Sequence, residues 1–197
     1  VGWARRSEAM FSTMGVTDWA GNLAVQKIIQ KENGDLALAP VDSVAEGFTA
    51  RRALAAKKPE VLVKAKDSYV YTDVFTCYES FLIRGEFCYE KEGMFGLSFD
   101  FDGDPGLNKF IGVNPTEHKL QLWFNEGDTL IAETAAELQP GKTYSFTYIQ
   151  EGSVGVFYID GAAALTVRLY GASGKPVQLF AKDNSVQFTS LEQYTRP

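Results

Sequence analysis

Cysteine and histidine are nearly absent from these 197 residues: there are two of the first, Cys77 and Cys88, and one of the second, His118. Two cysteines build neither a disulfide framework nor a four-thiolate metal site. A single bridge across neighbouring strands and a pair of free, partly buried thiols both fit their spacing. The lone histidine has no Ser/His/Asp or Cys/His arrangement around it and reads as a solvated turn residue. Basic residues are outnumbered, with 19 Lys and Arg against 25 Asp and Glu, a net charge of −6. That balance argues against nucleic acid and anionic membranes as partners, and it suits neutral ligands such as sugars. No apolar run approaches the ~20 residues that span a bilayer. The opening VGWARR carries neither an initiator Met nor a signal-peptide pattern. It reads as the interior start of a longer protein, so the N-terminus does not report the compartment.

What is plentiful is apolar and aromatic residues, 45% and 13% of the chain. That is enough for one sizeable core, and the Phe and Tyr content suits sheets. Three regions differ in character. In residues 1–45, Leu23–Lys31 and Leu36–Ala39 read as two strands around Asn33-Gly34, a hairpin signal whose type I′ form needs φ > 0 at both positions. Residues 46–66 are rich in Ala, Lys and Arg and read as a linker, partly helical, with Ser43 and Glu46 spaced as a capping box and Arg51-Arg52 and Lys57-Lys58 as solvated charges.

Residues 67–197 read as strand after strand. Phe81, Ile83, Phe87 and Tyr89 fall on one face, with Arg84, Glu86 and Glu90 on the other. Phe95, Leu97 and Phe99 alternate with Gly96, Ser98 and Asp100, and Leu120, Leu122 and Phe124 with Lys119, Gln121 and Trp123. Tyr144, Phe146 and Tyr148 continue the pattern. Turn signals such as Asn114-Pro115, Pro140-Gly141, Asp160-Gly161 and Asp183-Asn184 separate the strands. The expected fold is all-β: an antiparallel β-sandwich, a concanavalin-like jelly roll, with an N-terminal β-hairpin segment and a short helical linker.

Two stretches carry a family resemblance. The segment EGSVGVFYIDGAAALTVRLYG, residues 151–171, resembles the end of a family 32 glycoside hydrolase, the β-fructosidases that include invertases, levanases and inulinases. Glu151-Gly152-Ser153, Val156-Phe157, Asp160-Gly161 and Leu165-Thr166-Val167-Arg168-Leu169-Tyr170 match its closing pattern; the position that is acidic in that pattern is Gly155 here. Trp19-Ala20-Gly21, Asn33-Gly34 and Pro40-Val41 resemble the last segment of the same family's five-bladed catalytic propeller. The resemblance implies a propeller tail over 1–45, a linker over 46–66 and a C-terminal β-sandwich over 67–197. It also implies a catalytic propeller as partner and an extracytoplasmic setting. The family's nucleophile, transition-state stabiliser and acid/base motifs are Asn-Asp-Pro, Arg-Asp-Pro and Glu-Cys, and none of these occurs in the 197 residues.

The resemblance therefore implies a non-catalytic accessory sandwich that braces the propeller or mediates oligomer contacts, including contacts between copies of this chain. The alternative is a module that binds an oligosaccharide. For that reading the candidate is Trp123, an indole among Lys119 and Gln121 on the polar side of its strand, where a ring could stack on the C–H face of a sugar. Packing under a loop or against a neighbouring domain is the other role open to it. Asp100, Asp102 and Asp104 sit two residues apart, a spacing that could offer oxygen ligands to Ca²⁺, although Gly106 and Ile111 do not fit a helix–loop–helix calcium loop. An acidic strand end and turn is the plainer reading, and no other cofactor is indicated.

Overall fold

The computed structural model describes residues 2–4, 22–99, 108–124, 129–169 and 173–197. Its strands in chain order are β1 (Gly2–Ala4), β2 (Asn22–Ala24), β3 (Lys27–Gln30), β4 (Leu36–Ala39), β5 (Ala50–Arg52), β6 (Val61–Lys64), β7 (Tyr69–Thr76), β8 (Ser80–Tyr89) and β9 (Phe95–Phe99). They continue with β10 (Lys109–Asn114), β11 (Lys119–Phe124), β12 (Thr129–Ala135), β13 (Tyr144–Glu151), β14 (Val154–Ile159), β15 (Ala163–Arg168), β16 (Pro176–Lys182) and β17 (Ser185–Thr195). A short helix, α1 (Asp42–Ala45), follows β4.

Two sheets form the body, and their pairs are antiparallel. The first runs β12-β11-β10-β9-β16-β7; the second runs β15-β14-β13-β8-β17-β5, with β6 also on β17. The period-two alternation decides which side chains meet. Phe81, Ile83, Phe87 and Tyr89 of β8 enter the inter-sheet core, as do Phe95, Leu97 and Phe99 of β9, Leu120 and Leu122 of β11, and Phe146 and Tyr148 of β13. Rings bridge the sheets: Phe87 meets Phe95 edge-on at 5.1 Å between centroids, and Phe99 meets Tyr148 at 5.3 Å. The sheets are thus a sandwich closed by aromatic side chains.

The segment expected as a linker contributes strands instead. β5 pairs with residues 193–195 of β17, and β6 pairs with residues 185–188. Between them β17 breaks register at Thr189/Glu192, Ser190 takes φ 53°, and the Leu191 amide donates to the Pro59 carbonyl at 3.1 Å. The physical reason is edge protection, since the free backbone groups of an eleven-residue outer strand need partners. The region's Ala, Lys and Arg content hides Val61 and Val63, which face the core. Arg51 and Arg52 are exposed, as expected, but they lie on a strand and have partners. Arg51 pairs with Glu192 at 3.3 Å, and Arg52 Nε donates to Thr195 Oγ1 at 2.9 Å.

Local chemistry departs from expectation at two more points. The N-cap of α1 is Val41, with no side-chain cap hydrogen bond, so Ser43 lies inside the helix and no capping box forms. In the β3–β4 hairpin only Gly34 takes positive φ, at 89°. Its amide donates to the Lys31 carbonyl at 3.0 Å, and the Lys31 amide donates to the Asp35 carbonyl at 2.8 Å. The loop is therefore longer than a two-residue type I′ turn, with glycine supplying the one left-handed position. Asp160-Gly161 is a tight turn closed by the Ala162 amide on the Ile159 carbonyl at 2.9 Å, with Gly161 at φ 66°. Cys77 and Cys88 are both free thiols.

Candidate functional site

Among the described residues, three regions outside the inter-sheet core bear on function. On the outer face of the first sheet, Trp123, Phe110 and Phe180 form their own apolar cluster, flanked by Tyr69, Tyr71 and Met94. Register explains the grouping: Trp123 lies opposite Phe110, and Phe110 opposite Ser98. Phe180 lies opposite Gly96, whose neighbour on the far side is Gly112, so two glycines leave room beside the Phe180 ring. Phe110 and Phe180 meet edge-on at 5.3 Å, and Tyr69 and Tyr71 stack at 6.1 Å. Trp123 is thus on the side opposite Leu120 and Leu122, but it is only 5% exposed. Its indole is packed among rings and presents no open platform. Two buried polar atoms on the same face, Ser98 Oγ and Gln121 Oε1, have no hydrogen-bond partner among the described residues. Asp100, Asp102 and Asp104 lie outside the described residues. Among the described residues no group of three or more His, Cys, Asp or Glu side chains could hold a metal ion.

The outer face of the second sheet is covered from the N-terminal side. Phe48 packs with Leu82 of β8 and Ile149 of β13, and Val44, Ala45 and Tyr194 close around them. The C-terminal tail fastens this layer. Arg196 lies 4.6 Å over the Phe48 ring, and its Nε donates to Glu151 Oε1 at 2.9 Å. Gln26 Nε2 donates to Thr166 Oγ1 of β15 at 3.0 Å, so the entry to the hairpin is tied to the sandwich as well. Beside it, Arg84 donates to Glu192 at 2.7 Å and to the Tyr194 hydroxyl at 3.2 Å. Burial opposes the Glu192 charge, yet the Arg84 hydrogen bond and charge hold its carboxyl below the usual range. Glu86, on the same strand as Arg84, accepts from Ser190 Oγ at 3.2 Å. These acids are engaged in strand-to-strand pairs.

The third surface is the β3–β4 hairpin. It pairs with no strand of either main sheet. Ile28 lies opposite Leu38, and Gln30 opposite Leu36, so Ile28, Leu36 and Leu38 share one face. That face is bare: Ile28 is 63% exposed and Leu36 67%. The other face carries Ala37, which is buried, and Ile29, which is exposed. A two-stranded hairpin is marginal alone, and three bare aliphatic side chains on one side of it call for a cover. The sequence signalled the hairpin through Asn33-Gly34. It did not signal which of its faces would remain open, because both faces carry aliphatic residues.

No family model matches the sequence, and no curated protein matches it. Solved structures do match in shape. The chain is similar to a fructosyltransferase from A. japonicus at 11% identity and a TM-score of 0.61, covering 86% of this chain and 31% of that one. It is similar to fructan 1-exohydrolase IIa from Cichorium intybus, in complex with 1-kestose, at 11% identity and a TM-score of 0.60, covering 87% and 40%. It is also similar to the carbohydrate-binding module CBM66 from Bacillus subtilis at 15% identity and a TM-score of 0.58, covering 70% of this chain and 96% of that one. The chain spans about a third of the length of the fructosyltransferase it matches. The part matched in the longer enzymes is their C-terminal β-sandwich. At these identities the common property is the fold: an antiparallel β-sandwich of the kind that closes family 32 glycoside hydrolases and that also stands alone as a carbohydrate-binding module.

Proposed function

We propose that this chain is the non-catalytic accessory sandwich of a β-fructosidase-like glycoside hydrolase, and that it braces a catalytic domain through the β3–β4 hairpin. The observation that carries the reading is the bare face of Ile28, Leu36 and Leu38 on a hairpin whose base is fastened to the sandwich. Covering those three side chains would contribute about 3 kcal/mol at the usual value of an aliphatic residue removed from water. The absence of Asn-Asp-Pro, Arg-Asp-Pro and Glu-Cys from the sequence supports a supporting role over a catalytic one. The test pairs Ile28→Asp with Leu36→Asp. In the full-length protein that contains this chain, the double variant is expected to lower thermal stability and activity together, while the 197-residue chain unfolds as before. Equal effects in both contexts, or fructan hydrolysis by the 197-residue chain alone, would overturn the reading. A dimer of this chain that the same double variant abolishes would assign the face to oligomer contacts instead.

A second reading is sugar recognition by the sandwich itself. It is favoured by the match to nearly the whole of a carbohydrate-binding module, 96% of its length. A binding role does not exclude a bracing one.

A further inference from the structure

We infer that a cleft between the hairpin tip and one end of the sandwich is a binding site for a neutral oligosaccharide. Three loops converge there: residues 31–35 of the hairpin, residues 135–145 between and flanking β12 and β13, and the turn at residues 160–162. The cleft has a volume of about 570 Å³, within the range of roughly 300–1,000 Å³ common for ligand sites.

Its lining supplies what a polyhydroxylated, uncharged ligand requires. Lys31 and Lys142 offer donors, while Asp35, Glu137 and Asp160 offer acceptors. Three carboxylates against two ammonium groups disfavour an acidic glycan and leave hydroxyls as the groups that can bridge both kinds. Tyr144 contributes its hydroxyl. Its ring rests on Phe87 at 5.7 Å and carries the Lys142 ammonium 5.2 Å above it. Its hydroxyl accepts from the Gln139 amide at 2.9 Å, which fixes the oxygen and leaves its proton to donate into the cleft. Asp160 is the group with the clearest need of a partner. Its amide is held by the Ser145 carbonyl at 3.1 Å, so the turn is fixed. Its carboxylate has no hydrogen bond or ion pair among the described residues, and the surrounding cleft walls raise its pKa by desolvation although the residue is exposed at the turn. A sugar hydroxyl donating to it would satisfy a charge-assisted bond that the protein leaves open.

This inference rests on the second reading above, and its test separates the two. The 197-residue chain is titrated calorimetrically with 1-kestose, cellotriose and maltotriose, and with tri-galacturonic acid as the charged counterpart. At least one neutral trisaccharide is expected to bind, and tri-galacturonic acid is not. Asp160→Ala and Lys142→Ala are each expected to weaken that binding about tenfold or more, the loss typical of a hydrogen bond to a charged group. Among the described residues neither side chain makes a hydrogen bond, and thermal unfolding of each variant should match that of the parent. Binding unchanged in both variants would overturn the cleft and leave sugar recognition standing at another surface. Tighter binding of tri-galacturonic acid would overturn the neutral class of ligand. Binding of none of the four would overturn the cleft and the sugar-recognition reading together.

Discussion

A single methyl group added at Gly155 tests how tightly the two sheets are packed. Gly155 lies in β14 opposite Gln150 of β13, one residue before Val156-Phe157. A Cβ built there would stand 2.1 Å from Tyr148 Oη and 2.7 Å from Cζ, both shorter than real contacts allow. The Tyr148 ring cannot simply swing away. It is fully buried, packed on Phe81 and Phe99, and its hydroxyl donates to Gln150 Oε1 at 2.8 Å. Gln150 Nε2 in turn donates to the Gly152 carbonyl at 2.9 Å, so a shift of the ring opens a small buried network. Overpacking of this kind costs about 1–3 kcal/mol, and an orphaned buried hydrogen-bonding group about 1–3 kcal/mol. Gly155→Ala should therefore destabilise the chain by about 2–6 kcal/mol. For a domain of this length that lowers the thermal midpoint by roughly 5–15 °C. Urea unfolding followed by far-UV circular dichroism measures it directly. Tyr148→Phe removes the atom nearest the new methyl, so the double variant should cost clearly less than the sum of the two single ones. A stability loss below about 0.5 kcal/mol in Gly155→Ala, or strict additivity of the pair, would refute the argument. The same clash accounts for glycine here: an acidic side chain at this position has no room while Tyr148 occupies it.

Other outcomes follow from the same structure. Asn184 is buried and binds the 90–93 loop through both ends of its amide, donating to the Lys91 and Gly93 carbonyls and accepting from the Lys91 and Ser185 amides. Asn184→Ala should cost about 2–4 kcal/mol in urea unfolding and speed amide exchange at Lys91, and a neutral result would show that water replaces the amide freely. Glu192 is held ionised by Arg84, so its contribution is present above the ordinary carboxylate value of 4.5 and is lost as pH falls through the lower folded value. Stability measured from about pH 6 down to pH 3 should thus fall less steeply in Glu192→Gln than in the parent; parallel curves would remove the pair from acid unfolding. Burial pushes the Cys77 thiol up to about 12, while Cys88 is only half-buried. An aromatic disulfide reagent at about pH 8 should label at most Cys88 in the folded chain and both thiols after unfolding, and rapid labelling of Cys77 in the native state would contradict its burial.

The sandwich was legible because two apolar faces must be written into alternate positions of each strand. Phe81-Ile83-Phe87-Tyr89 and Leu120-Leu122 announce their inward face without any knowledge of partners, and the structure puts those residues in the core. The short edge strands were not legible. Val61-Leu62-Val63 is too brief a pattern among Ala, Lys and Arg to stand out, and it becomes a strand only because β17 presents an edge to pair with. Trp123 illustrates a different limit. Alternation assigns it to the outer face, but whether an outer face is wet depends on neighbours from distant strands, here Phe110 and Phe180. The cleft residues escaped notice for a related reason: Lys31, Tyr144 and Asp160 are each unremarkable in sequence, and three loops bring them together.

By itself, then, the sequence determined the composition of the core, the strand periodicity, the acidic surface charge and the turns at which glycine supplies positive φ. Each of these is set by a residue and its near neighbours along the chain. Which strands pair, what covers the outer faces, which apolar hairpin face stays bare and which polar groups converge on a cleft were decided only by the tertiary structure. Those properties depend on residues more than a hundred positions apart, such as Gln26 with Thr166 or Arg84 with Glu192. No local pattern encodes them, because hydrogen bonds and apolar contacts across sheets form only after the chain has closed on itself.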